Sequence, residues 1–150
     1  MVTSSLLYEL ESPLTLRQRE VGFDDRALGA EEILAHTKYS AISPGTEIAA
    51  WLGSPPLRPS TIYPRLVGYC NLAEVARVGD SVKEIGVGDY VLTHQSHRTA
   101  FTCRESEVLL RTSDPDDTIL RKLTATYLYH LGYSALLTGE FRPGCQVAII

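Results

Sequence analysis

The sequence is poor in sulfur and has no run of charge of one sign. Its 150 residues include three cysteines, one methionine and one tryptophan. Cys70, Cys103 and Cys145 are widely spaced, odd in number and without a C-x-x-C pair. That pattern argues against a disulfide framework and against a structural zinc motif. Free cysteine usually behaves as a small hydrophobe, so mostly buried, inert thiols are expected. The 14 basic and 18 acidic side chains give a formal charge of -4 and are interspersed. No stripe of Lys or Arg is present to neutralise phosphates, so nucleic acid is not an expected partner. No apolar stretch approaches the roughly 18 residues that span a bilayer. The first five residues lack the basic segment and apolar core of a secretory signal. No membrane association is expected, and the expected location is the cytoplasm.

What is present is ordinary for a globular protein. The chain is 44% hydrophobic and 21% charged, and its length suits one domain with an appended element. A chain of this size buries a core without covalent or metal staples. Residues 5–10 and 14–21 read as strands separated by Glu11-Ser12-Pro13. Leu14 and Leu16 alternate with Thr15 and Arg17, the period-2 signal of a half-buried strand. Residues 31–42 read as a longer strand with Ile33, Ala35, Thr37 and Tyr39 on one face. Ser43-Pro44-Gly45 breaks it, and residues 46–52 read as a short helix stopped by Gly53. Pro55, Pro56, Pro59 and Pro64 make 54–64 a loop rather than a central strand. Residues 66–78 read as one long strand, Gly79-Asp80-Ser81 and Gly86-Val87-Gly88-Asp89 as turns, and 90–93 as a short strand.

The pattern changes after Ser113-Asp114-Pro115. Asp116 or Asp117 is placed to cap a helix over 118–123. A second helix is expected over 125–138, with Leu128, Leu131, Ala135 and Leu136 on one stripe and Gly139 at its end. After the turn Arg142-Pro143-Gly144 comes an apolar run from residue 145, typical of a buried parallel strand. Within the 150 residues Val147, Ala148, Ile149 and Ile150 have no partner strand, so further sequence, a partner or another copy is expected to cover them.

Five segments in this order resemble the medium-chain dehydrogenase/reductase superfamily. Pro44-Gly45-Thr46-Glu47 resembles its C-x-[ST]-[DE] segment, and Pro64 to Cys70 resembles P-x-x-x-G-H-E. Ala73 to Gly79 resembles G-x-V-x-x-V-G, Val87 to Val91 resembles V-G-D-x-V, and Leu131 to Ala135 resembles the T-[GA]-Y-x-A helix that crosses between domains. The resemblance implies a mainly β fold. Its parts are a GroES-like, partly open β-barrel with a short helix, a crossing helix, and the first strand of a truncated Rossmann domain. The implied division is 1–124 for the substrate domain, 125–144 for the crossing helix and connector, and 145–150 for the first strand of the nucleotide-binding domain. The Ile42 to Glu47 string, together with Gly68-Tyr69 in place of Gly-His, is also similar to the bacteriochlorophyllide-dehydrogenase-like branch.

The same resemblance identifies candidate residues. The family's three catalytic-zinc ligand positions fall on Pro44, Tyr69 and near Tyr127, none a usual ligand, and the four-cysteine structural lobe is absent. Zinc independence is therefore expected, and no metal site is assigned. His94 and His97, three apart on a loop, read as solvated side chains. Thr46 matches a proton-relaying hydroxyl, or else caps the short helix. Tyr69 is either an acid in the cleft or a buried phenol satisfied by a carbonyl. Tyr127 lines the cleft or packs in the core, and Trp51 has the same two readings. Ser43 and Tyr133 complete the candidate cleft, Tyr133 on the side where the nicotinamide would lie. Glu47 is expected to make a structural hydrogen bond or salt bridge.

The function implied is the substrate side of a zinc-independent, NAD(P)H-dependent oxidoreductase. It would move hydride to or from a small carbonyl, enone or quinone-like substrate. The G-x-G-x-x-G turn that holds the pyrophosphate is missing, so these 150 residues are expected to bind no dinucleotide and to be inactive by themselves. The other reading is a non-catalytic GroES-like binding or assembly module.

Overall fold

A computed structural model describes residues 2–24, 27–54, 63–142, 144–146 and 148. It is mainly β, with two sheets. Strands β1 (Val2–Ser12) and β2 (Thr15–Asp24) form a long antiparallel hairpin through the turn at Pro13 and Leu14. The short β4 (Arg65–Leu66) pairs with the other side of β1. The second sheet has the order β7-β3-β5-β6-β8, antiparallel throughout. Its strands are β3 (Glu32–Ser40), β5 (Asn71–Val78), β6 (Tyr90–Thr93), β7 (Ala100–Arg104) and β8 (Val108–Thr112). A single bridge, Leu7 to Arg98, and the bond from the Thr99 amide to the Leu6 carbonyl at 2.9 Å join the sheets without closing them. This is the expected partly open barrel.

The five-stranded sheet is covered on both faces, which accounts for the uninterrupted apolar run of β6. Val91 turns into a cluster with Ile33, Ala35, Val75 and Phe101. Its neighbours Tyr90 and Leu92 turn the other way, onto Leu72 and Leu120. Leu120 belongs to α2 (Asp117–Thr124), whose start is set by Asp116. One oxygen of the Asp116 carboxylate accepts the amides of Thr118 and Ile119 at 2.8 and 3.0 Å, satisfying two otherwise unpaired donors. Asp116→Ala is expected to cost about 1 kcal/mol of stability, read as a lower urea midpoint with an unchanged slope. An unchanged midpoint would mean that α2 is not docked through its first turn.

The structure departs from the expected elements in several places. The expected strand over 66–78 is broken: residues 67–70 are irregular between β4 and β5. Gly68 has φ +86, and a Cβ there would lie 2.6 Å from Nδ1 of His97. The close ring and the left-handed backbone together exclude a continuous strand. Strands β7 and β8 had no counterpart in the reading of the sequence. The short helix α1 (Pro44–Leu52) starts two residues early, with Pro44 in the first turn, where its fixed φ suits a helix and its missing N–H costs nothing. Thr46 therefore sits inside the helix and does not cap it.

Helix α3 (Thr126–Thr138) follows Ala125 directly and buries no residue among those described. Leu131 is 50% exposed and Leu136 40%, so the expected apolar stripe is present in sequence but is not packed. Of the expected terminal strand, residues 147, 149 and 150 lie outside the described residues. Cys145, Gln146 and Ala148 have no regular structure.

Candidate functional site

The break at 67–70 and the early start of α1 place two side chains opposite one another. Thr46 projects from the first turn of α1, and Tyr69 projects from the irregular segment before β5. Their oxygens are 3.5 Å apart. Tyr127, in the first turn of α3, meets the Tyr69 ring edge to face at 5.8 Å. His94 closes the group: its ring is edge-on to Tyr127 at 4.6 Å, and its Nδ1 is 3.2 Å from the Tyr69 carbonyl oxygen. Edge-to-face contacts of this kind hold aromatic rings in defined orientations. Together with Arg65 and Leu131 these residues line a hollow of ≈ 480 Å³, within the usual size range of small-molecule sites.

Three of the six candidates therefore meet in one place: Thr46, Tyr69 and Tyr127. Ser43 is buried at the start of α1, where its amide donates to Glu47 Oε1 at 2.8 Å. Trp51, 36% exposed, faces a different hollow on another side of α1. Tyr133 is 59% exposed on α3 and lines neither hollow. Reading the sequence had not placed Arg65 or His94 in the cleft. Arg65 carried no motif, and His94 reaches Tyr69 only through the pairing of β5 with β6.

One titratable group departs from expectation. His97 is not solvated: its side chain is 15% exposed and lies between Ser40 and Glu47. Glu47 makes the expected structural contacts, accepting from His97 Nε2 at 2.9 Å as well as from Ser43. The cysteines split. Cys70 and Cys103 are buried and Cys145 is exposed. Burial, and secondarily the Glu47 carboxylate, pushes the Cys70 thiol up to about 11. Burial pushes Cys103 up to about 12, with Glu107 and Glu32 adding to it. Neither supplies a thiolate at neutral pH.

Of the three positions that hold zinc in the resembled family, those of Tyr69 and Tyr127 come together in the hollow, while Pro44 begins α1 and lines the other hollow. Among the described residues no three His, Cys, Asp or Glu side chains group as a metal site. No turn among the described residues presents the G-x-G-x-x-G pattern that lets backbone amides cradle a pyrophosphate. No helix among the described residues is long and apolar enough to cross a membrane.

No family model and no curated protein matches the chain. Solved structures do. Etr1p, part of a mitochondrial 2-enoyl thioester reductase of Candida tropicalis, was solved with NADP and crotonyl-CoA. It matches at 21% identity and a TM-score of 0.62, over 75% of this chain and 35% of that one. A quinone oxidoreductase of Pseudomonas syringae pv. Tomato matches at 19% identity and TM-score 0.62, over 92% of this chain and 42% of that one. A putative zinc-binding dehydrogenase of Sinorhizobium meliloti bound to NADP matches at 16% and TM-score 0.54, over 71% and 38%. At these identities the likeness is one of fold: the chain shares the fold of the corresponding part of these enzymes. The chain spans about 35–42% of the length of these neighbours.

Proposed function

We propose that this chain is the substrate-side domain of a zinc-independent oxidoreductase that uses NAD(P)H on a small carbonyl, enone or quinone-like substrate. The observation that carries the reading is the meeting of Thr46, Tyr69 and Tyr127 on one hollow, with two hydroxyls directed at each other. In this proposal residues 1–124 bind the substrate, 125–144 connect, and 145–150 begin the nucleotide-binding domain. That domain would hold the NAD(P)H that supplies the hydride. This chain's own part is to orient the substrate and manage a proton. Tyr69 Oη donates to the substrate's carbonyl oxygen, where negative charge builds up as hydride arrives. Thr46 Oγ1 fixes the phenol's orientation, and Tyr127 with His94 holds the ring. Arg65 contributes positive charge to the same hollow.

The test is a fusion of this chain ahead of the nucleotide-binding domain of a quinone oxidoreductase, assayed by NADPH oxidation with enone and quinone substrates. Tyr69→Phe is expected to lower kcat by about 100-fold, the ordinary contribution of a placed general acid, with KM little changed. Thr46→Val is expected to have a smaller effect in the same direction. If the fusion turns over equally well with and without the Tyr69 hydroxyl, the acid is elsewhere. A folded fusion that binds NADPH and oxidises none of it favours the non-catalytic module.

A further inference from the structure

The hollow lined by Thr46 and Tyr69 also holds a charge without a partner. Arg65 opens β4, opposite Leu10 of β1, and is half-buried on the wall of the hollow. Arg17, Arg19, Arg111 and Arg121 each meet a carboxylate. Arg65 has no ion pair and no side-chain hydrogen bond among the described residues. A guanidinium stays charged across the working pH range, and a partly desolvated charge without a partner is costly.

Nothing else around the hollow offsets that charge, since no carboxylate lines it among the described residues. Glu47 follows Thr46 in sequence but belongs to the polar end of the second hollow, on another side of α1, with Ser40 and His97. There its oxygens accept from His97 Nε2 at 2.9 Å and from the Ser43 amide at 2.8 Å. The hydroxyls of Thr46, Tyr69 and Tyr127 are uncharged, and each is able to donate. His94 Nδ1 faces the Tyr69 carbonyl, which only accepts, so that nitrogen carries a proton in either charge state of the ring. His94 therefore adds no negative charge whichever state it takes. Leu131 and the aromatic faces supply apolar wall.

We propose that Arg65 is a specificity residue and that the substrate of this hollow carries an oxyanion, either a carboxylate or a phosphate. The guanidinium holds the anion while the hydrocarbon lies against Leu131 and the tyrosine rings. A planar guanidinium presents paired N–H groups that match two oxygens of such an anion. The inference rests on the proposed function for the claim that the bound molecule is a substrate, and it deepens that reading. Arg65 anchors the anionic end and Tyr69 meets the carbonyl, which narrows the carbonyl, enone or quinone-like class to its anionic members. A neutral molecule of the same shape leaves Arg65 unpaired and is bound more weakly.

Binding is read on the 150-residue chain from the NMR shifts of the Gly68, Tyr69 and His94 amides. The probes are 2-pentenoate, its methyl ester and inorganic phosphate, titrated at neutral pH and low salt. The expected result is saturable shifts with at least one anion, and at least about tenfold weaker binding of the ester. The tighter anion identifies the source: pentenoate a carboxylic-acid substrate, phosphate a phosphorylated one. Arg65→Gln is expected to weaken that anion at least about tenfold, the scale of one hydrogen bond to a charged group, and Arg65→Lys less. Raising the ionic strength about tenfold is expected to weaken the anion and leave the ester unchanged, which tests the charge even if the glutamine variant fails to fold. In the fusion enzyme, Arg65→Gln is expected to act on 4-oxo-2-pentenoate through KM, whereas Tyr69→Phe acts through kcat. Anion binding that needs Arg65, in a fusion that oxidises no NADPH, upholds the anion site and removes the reaction. Turnover of the methyl ester as efficient as that of the acid upholds the reaction and overturns the anion site. Unchanged anion binding in Arg65→Gln overturns it too, as does an absence of saturation with both anions.

Discussion

Gly79→Ala is expected to destabilise the chain by about 3 kcal/mol, the upper part of the range for overpacking a tight site. A Cβ at Gly79 would lie 2.2 Å from the Gly29 carbonyl oxygen and 2.4 Å from that of Ala30. Both are backbone atoms, so no side chain can rotate away. The segment is also pinned: the Gly79 amide donates to the Glu32 carbonyl at 2.8 Å, and the Ser81 amide to that of Ala30 at 2.8 Å. Relief therefore requires the end of β5 to separate from the start of β3, at the edge of the cluster built on Ile33 and Val75. The urea midpoint is the measurement. A midpoint equal to that of the parent chain would mean that the close approach of residues 29–30 is not maintained in solution.

Asn71→Ala is expected to cost about as much, about 3 kcal/mol, for a different reason. Asn71 is fully buried. Its Oδ1 accepts from the Thr37 hydroxyl at 3.0 Å and its Nδ2 donates to the Ser96 carbonyl at 3.0 Å. Truncation leaves the buried Ser96 carbonyl unpaired, takes a partner from the half-buried Thr37 hydroxyl, and opens a cavity where the side chain stood. Asn71 also ties the first residue of β5, two positions after Tyr69, to the segment that carries His94 and His97. The variant is therefore expected to shift the ring resonances of Tyr69 and Tyr127 as well as to lower the urea midpoint. Loss of stability without any change at those rings would separate the core role of Asn71 from its hold on the cleft.

The elements legible in the sequence were those whose signal is local. The alternation that starts at Leu14 marked β2, the uninterrupted apolar run of residues 90–92 marked β6, and Asp116 ahead of an apolar pattern marked α2. Strands β7 and β8 were not legible. Ala100–Arg104 and Val108–Thr112 are short, are separated only by the acidic turn Glu105–Glu107, and alternate too briefly to stand out. The expected strand over 66–78 failed at Gly68, because what breaks it is the ring of a histidine far along the chain. The α3 stripe failed in the opposite sense: its periodicity is real, but none of its residues is buried among those described.

Thr46 and Tyr69 were visible as candidates because short motifs carry them, and Tyr127 because it lies near a position counted back from the Leu131 to Ala135 segment. Where each side chain lies depended on packing. Thr46 lies inside α1 rather than at its cap because Pro44 takes the first turn. It lines the hollow with Tyr69, which projects where the backbone is irregular around Gly68. The sequence by itself marked strands, turns and the α2 cap, since hydrophobic periodicity, turn residues and caps act over a few neighbours. The fold class came from the resemblance its five ordered motifs carry. Tertiary structure alone decided the polar end of the second hollow, where Ser40 and His97 are 57 residues apart and His97 and Glu47 are 50 apart. Hydrogen bonds between distant residues depend on distances set by sheet register and helix docking, and no local pattern in the sequence encodes them.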